Sequence, residues 1–226
     1  MVKVKICGLM QPEDALIAAR AGANFLGIAF VPGRRRRVTP QQARSIVDAV
    51  RAVSITPAPK IVGLFAEQPV DEVNRTIMQA GLDMVQLCGK ESLDYCGQIK
   101  AGVIRVFHVP AGIDIESAAH DLSKSIEHYL KAGHTVALDR LVEGLQGGTG
   151  ESFDWAIAAR ISGIGHKFIL AGGLTPDNVA EAITSTRAWG VDVSSGVETN
   201  SAKDPVKIKS FISEARRASV AAGKKP

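Results

Sequence analysis

Hydrophobic residues along this chain change period at short, regular intervals. Val2, Val4 and Ile6 alternate with Lys3, Lys5 and Cys7, a period of two that predicts a short strand stopped by Gly8. Pro12, Glu13 and Asp14 then open a helix, because proline suits the first helical turn and carboxylates favour its positive end. The same exchange recurs. Strand patterns cover 23–31, with Gly27 inside, then 60–66, 83–88, 103–109, 134–139, 167–171 and 189–193. Helical patterns start at Thr39-Pro40, at Pro69-Val70-Asp71, near Glu91 and near Phe153. Another spans 115–131, with Ala119, Leu122, Ile126 and Leu130 on one stripe. Thr175-Pro176-Asp177-Asn178 reads as an N-cap followed by proline at the first helical position, and Asp204-Pro205 caps a last helix.

Strict alternation of strand and helix implies a parallel sheet. Eight such units in 226 residues, with no linker between them, imply a closed (β/α)8 TIM barrel, with 1–226 as a single domain. An open, doubly wound sheet is the alternative, but the Gly-x-Gly-x-x-Gly expected after its first strand is absent. With 46% hydrophobic and 22% charged residues, the chain can bury a core that needs no staples. No apolar run approaches the roughly 20 residues of a membrane span, and the N-terminal stretch lacks the pattern of a signal peptide. Three cysteines, Cys7, Cys88 and Cys96, fit neither a disulfide framework nor a metal site, so a reduced, cytoplasmic protein is expected. The net charge of +4 favours anionic ligands without calling for nucleic acid. The pattern leaves the oligomeric state open.

In such a barrel the loops after the strands form the active face. Parity turns Cys7, at the end of the first strand, and Asp139, at the end of the sixth, toward the interior, since Val136 and Leu138 take the helix-facing side. An inward thiol and an inward carboxylate on one rim make a base and acid pair. Arg34-Arg35-Arg36-Arg37 follows the second strand, where one guanidinium can clamp a carboxylate. No aromatic residues interleave with these arginines, which speaks against nucleic acid. Glycine-containing loops follow strands six, seven and eight: Gly147-Gly148-Thr149-Gly150, Gly172-Gly173 and Ser194-Ser195-Gly196. Loops after strands seven and eight form the common barrel phosphate site, so a phosphorylated small molecule is the expected ligand. Its anchors would be backbone N–H groups of Gly172, Gly173, Ser195 and Gly196. The histidines, His108 among them, are scattered without a constellation, most of them reading as surface or strand-edge residues, and no cluster offers to hold a metal.

Taken together, these residues resemble the phosphoribosylanthranilate isomerases of tryptophan biosynthesis. The matching blocks are Lys5-Ile6-Cys7-Gly8, Phe30 to Val38, Gly63-Leu64-Phe65, Val85-Gln86-Leu87, Leu138-Asp139, Gly148-Thr149-Gly150 with Phe153-Asp154-Trp155, Ala171 to Leu174, and Gly190 to Glu198. The resemblance implies Cys7 as general base, Asp139 as general acid, and Arg36 as the residue that binds the anthranilate carboxylate. It implies an Amadori rearrangement of an aminoaldose to an aminoketose. No cofactor is expected, because the substrate nitrogen serves as electron sink. Gly148 and Ser194 join the substrate-binding set by the same resemblance. This chain departs from the pattern at Arg34, where the family usually has serine, and at Cys88, where it usually has histidine. Lys5, two residues before Cys7 on the same face, is expected to help lower the thiol pKa. A barrel isomerase of histidine biosynthesis and a non-catalytic anion-binding module are the rival readings.

Overall fold

A computed structural model describes residues 1–109, 114–140 and 155–222. The barrel elements run β1 (Lys3–Ile6), α1 (Pro12–Ala21), β2 (Phe25–Ala29), α2 (Pro40–Arg51), β3 (Lys60–Phe65), α3 (Val70–Ala80), β4 (Met84–Leu87) and α4 (Leu93–Gly97). They continue as β5 (Gly102–Val109), α5 (Ile115–Lys131), β6 (Thr135–Arg140), α6 (Trp155–Gly163), β7 (Ile169–Leu170), α7 (Val179–Thr186) and β8 (Gly190–Val193). The strands pair in parallel in chain order, and β8 returns to β1 through Lys3↔Gly190, Val4↔Val191, Lys5↔Asp192 and Ile6↔Val193, closing the barrel. The expected (β/α)8 architecture is the observed one. No described helix is long and apolar enough to cross a membrane.

Local chemistry sets the helix starts. Thr39 makes a full capping box on α2: its hydroxyl accepts from the N–H of Gln42, and the Gln42 side chain accepts from the N–H of Thr39. Pro12 opens α1, with Glu13 and Asp14 in its first turn. One expectation is corrected. Helix α7 starts at Val179, not at Pro176, because the Asn178 amide turns back to accept from the N–H of Thr175 and donate to the Gly173 carbonyl. That side chain ties up residues 173–178 as a turn. Beyond β8 the Ser194-Ser195-Gly196 segment starts a short 3-10 turn, Ser195–Val197, and an unforeseen two-stranded hairpin follows, β9 (Glu198–Thr199) and β10 (Ala202–Lys203). Asp204 then caps α8 (Pro205–Ala222) by accepting from the N–H groups of Val206 and Lys207. The expected helix start at Phe153 and the loop with Gly148 lie outside the described residues.

Strand parity divides the interior in two. Between sheet and helices, Val4, Ile6, Leu26, Ile28, Val136, Leu138, Leu170 and Val191 pack against α-helical partners such as Ile46, Ile161 and Phe211. Inside the barrel, Phe25, Val62, Ile104, Val106, Ala137 and Ile169 form a separate, smaller cluster. The inner cluster plugs the barrel and leaves its C-terminal mouth open for a site.

Candidate active site

A cavity of about 590 Å3 opens where the C-terminal ends of the strands meet. Cys7 enters it from the end of β1 and is fastened there by two bonds to the end of β8. Its N–H donates to the Val193 carbonyl at 2.8 Å, and its carbonyl accepts from the Ser194 hydroxyl at 3.1 Å. Burial pushes the thiol pKa up, and the nearby Lys5 ammonium only partly offsets this. So Lys5 acts in the expected direction, while the balance falls toward the protonated thiol.

Asp139 reaches the same cavity from β6. Burial raises its pKa, against the opposing effect of His108, so the carboxyl holds its proton more tightly than an exposed one. Its Oδ1 accepts from the N–H of Arg140 at 2.8 Å. The loop after β7 presses on it. At Gly172, where φ is +90°, a Cβ would stand 2.9 Å from Asp139 Oδ1 and 3.1 Å from Arg140 N. Both the backbone conformation and the space require glycine.

Gly172 and Gly173 both have positive φ and line the cavity beside Ser194, Ser195 and Gly196. Among the described residues, neither glycine N–H makes a backbone hydrogen bond. The loops after β7 and β8 lie in contact, since a Cβ on Gly196 would collide with the Leu174 carbonyl. This wall offers backbone donors at close range to an anion.

The arginine run forms another wall. Arg36 makes a two-point pair with Glu198, Nε to Oε1 at 2.6 Å and Nη2 to Oε2 at 2.9 Å. Arg35 and Lys203 join the same carboxylate at 2.6 and 2.9 Å. Partial burial alone would raise the Glu198 pKa, but its hydrogen bonds to Arg36, Lys203 and Arg35 hold it at about 2. Two of the five guanidinium N–H donors of Arg36 go to Glu198, and the side chain still borders the cavity. Gly8 makes room for it: a Cβ there would collide with Arg36 Cδ. Arg34 and Arg35 border the cavity as well, whereas Arg37 points away and is exposed.

The structure thus gathers Cys7, Asp139, Arg36, Gly172, Gly173, Ser194, Ser195 and Gly196 around one cavity. Gly148 lies outside the described residues. Sequence reasoning missed several neighbours. His108 is not a stray histidine. It is the register partner of Asp139, and its Nε2 lies 2.9 Å from the Cys88 carbonyl. A carbonyl only accepts, so Nε2 carries the proton. Its Nδ1, together with Gln86 Oε1 and Asp192 Oδ1, is buried without a partner among the described residues. All three residues line the cavity, so its wall keeps hydrogen-bonding capacity for a polar ligand. Asp192 was legible by the parity applied to Asp139, since it stands between the helix-facing Val191 and Val193. Glu198 and Lys203 were not, because their place depends on the hairpin. The described residues contain no cluster of histidine, cysteine and carboxylate side chains able to hold a metal.

A family model described as N-(5'phosphoribosyl)anthranilate (PRA) isomerase matches residues 4–214. The chain belongs to the phosphoribosylanthranilate isomerase family. An N-(5'-phosphoribosyl)anthranilate isomerase of Dehalococcoides mccartyi is 40% identical over 218 residues, covering 96% of this chain and 97% of the relative. One from Citrifermentans bemidjiense is 42% identical over 218 residues, covering 96% and 98%. The crystal structure of phosphoribosyl anthranilate isomerase from Thermotoga maritima superposes with a TM-score of 0.81 at 31% identity, covering 96% of this chain and all of that one. A phosphoribosyl anthranilate isomerase solved with reduced 1-(O-carboxyphenylamino)-1-deoxyribulose 5-phosphate superposes at 0.77, also at 31% identity, with coverage of 96% and 100%. Where the resemblance implied histidine, Cys88 borders the cavity with its thiol pKa pushed up to about 12 by burial. An imidazole nevertheless reaches this wall from the adjacent strand, as His108.

Proposed function

We propose that the chain converts N-(5-phosphoribosyl)anthranilate to 1-(2-carboxyphenylamino)-1-deoxyribulose 5-phosphate, with Asp139 as general acid and Cys7 as general base. The observation that carries this reading is the meeting of an inward thiol and an inward, buried carboxyl in one cavity of a family member. Asp139 donates its proton to the ribose ring oxygen while the anthranilate nitrogen pushes the ring open to an iminium ion. Cys7, as thiolate, then takes the proton from ribose C2, and the enolamine tautomerises to the ketone. The upward shift that burial gives the Asp139 carboxyl suits its role as acid in the first step.

The phosphate lies against the backbone N–H groups of Gly172, Gly173, Ser195 and Gly196, and the anthranilate carboxylate pairs with Arg36. The two anionic ends of the substrate thereby span the cavity, and the ribose falls between Cys7 and Asp139. The unpartnered oxygens of Gln86 and Asp192 suit hydroxyl donors. We place the reaction in the cytoplasm, in keeping with three free cysteines.

A fluorescence assay on freshly made phosphoribosylanthranilate tests the reading. Its disappearance with formation of the aminoketose is expected. Turnover confined to the aminoaldose of histidine biosynthesis would overturn it. A crystal structure with product would test the anchor: phosphate at the arginine loop, with the Gly172-Gly173 wall empty, would reverse the proposed orientation.

A further inference from the structure

Inside the barrel, one ion pair lies where the strands otherwise bury mainly apolar side chains. Lys5 is fully buried, and its Nζ donates to Asp192 Oδ2 at 2.6 Å across the seam where β1 meets β8. Such a pair is poor value as a stabiliser. Desolvating both charges offsets most of their attraction, and an apolar pair of similar volume would hold the barrel as well or better. Nor is the pair closed on itself, since Asp192 Oδ1 is buried without a partner among the described residues. Stability does not account for a charge in this place.

The sulfur of Cys7 does. It follows Lys5 by two positions on the same face of β1, on the open side toward the cavity. A Cβ built on Gly27, in the adjoining strand β2, would stand 2.8 Å from Cys7 Sγ and 3.2 Å from Lys5 Nζ. Sulfur and nitrogen therefore crowd the same small space, which exists because β2 carries glycine there. Lys5 keeps its proton in this setting: burial alone would lower its pKa, but Asp192 and Cys7 raise it above the usual lysine range.

We propose that Lys5 is a positioning residue for Cys7, its ammonium holding the thiolate by charge and hydrogen bond while Asp192 keeps that ammonium charged and in place. The inference rests on the reading of Cys7 as the base. Lys5 stays protonated throughout. The C2–H bond of the iminium intermediate breaks, its proton forms the S–H bond of Cys7, and its electron pair forms the C1–C2 double bond of the enolamine. Other groups around the sulfur act too: Lys203 of β10 favours the thiolate, and Asp192 of β8 opposes it. Cys88, after β4, and Asp139, on β6, share the field of Lys5.

Alkylation of Cys7 by iodoacetamide, followed against pH on the Cys7 peptide of the full-length protein, reads the ionisation without relying on turnover. In Lys5→Met the alkylation midpoint should rise by about one pH unit or more, which is at least ~10-fold less thiolate at fixed pH. The rise of kcat/KM with pH should move with it, and Lys5→Arg should restore most of the loss. In Asp192→Asn the amide oxygen can still accept the Lys5 hydrogen bond and the Cys7 thiolate still favours the ammonium, so Lys5 stays charged and in place and the midpoint should fall, because the anion that opposes the thiolate is gone. The double variant Lys5→Met/Asp192→Asn leaves no charge unpaired and should keep the upward shift; it decides the matter where Lys5→Met alone fails to fold. An unchanged midpoint in folded protein lacking Lys5, or shifts of one sign in both single variants, would overturn the proposal. Full turnover by Cys7→Ser would instead remove Cys7 as the base, a separate result that leaves the titration readable.

Discussion

The same eight strands face two interiors of opposite character. Toward the helices they bury an unbroken apolar layer, with Val4, Ile6, Leu26, Val136 and Leu138 as typical members. Toward the barrel axis they bury a short apolar plug, then a buried ammonium, two inward carboxylates and several unpartnered polar atoms around the mouth. Adjacent residues can sit on opposite sides of this divide, as Leu138 and Asp139 do. The outer face supplies folding free energy, at about 25 cal/mol per Å2 of apolar surface removed from water. The inner face gives part of that up to hold polar groups whose hydrogen-bonding capacity is open to a ligand.

Substitutions on the two faces should separate these roles. The largest effect is expected at Cys7→Ser, which should fold normally yet lose about 10²- to 10⁴-fold in kcat, because an alcohol is a far weaker acid than a thiol. Near-normal kcat, measured beside an unchanged Tm, would dissolve the contrast. Leu138→Ala, one residue from Asp139 but on the other face, should cost about 2–5 kcal/mol of stability by denaturant unfolding. Its kcat at a temperature where it stays folded should change little. A large loss of kcat there would mean that the two faces are not independent.

How far the sequence discloses this division follows from its physics. Parity is local, so Cys7 and Asp139 could be turned inward from their neighbours alone, and the same reasoning applied to Val191 and Val193 reaches Asp192. The alternation of periods was enough for the barrel, because eight strand and helix units leave few other closed arrangements. What could not be read depends on contacts across the fold. His108 gains meaning only from its register with Asp139, and Glu198 only from a hairpin too short to show a strand pattern. The start of α7 was misplaced because a side-chain hydrogen bond from Asn178 competed with helix capping.

Two smaller effects probe the rim where the faces meet. Arg36→Ala should raise KM by roughly 10- to 100-fold, in line with the loss of a charge-assisted hydrogen-bonded pair worth about 1.5–3 kcal/mol, and leave kcat nearly intact. Arg37→Ala, at an exposed side chain away from the cavity, should change KM less than about 3-fold. Equal effects would make the run a diffuse field instead of a clamp. The smallest effect is on pH dependence. The Glu198 carboxyl, held at about 2, lies below its unfolded value of about 4.3, so its contribution is present above that value and fades as pH falls toward 2. The Tm advantage of the natural chain over Glu198→Gln should therefore shrink between about pH 5 and pH 2. An advantage that stays constant across that window would place the effect in packing.

The seam between β1 and β8 has a consequence for how the molecule comes into being. Lys5 and Asp192 stand 187 positions apart in the chain, and the carbonyl of Val193 that fastens Cys7 is nearly as distant from it. The strand bearing the thiol leaves the ribosome long before the strand that carries its counter-anion. Until closure, the ammonium keeps its water, and no cavity separates the thiol from solvent. Sequence separation this long slows assembly, because the entropy of closing the loop is lost before any contact repays it. A chain cut short of β8 would thus hold a lysine that cannot be buried at acceptable energy and a cysteine as reactive as any exposed thiol, so the site and the closed ring appear in the same step.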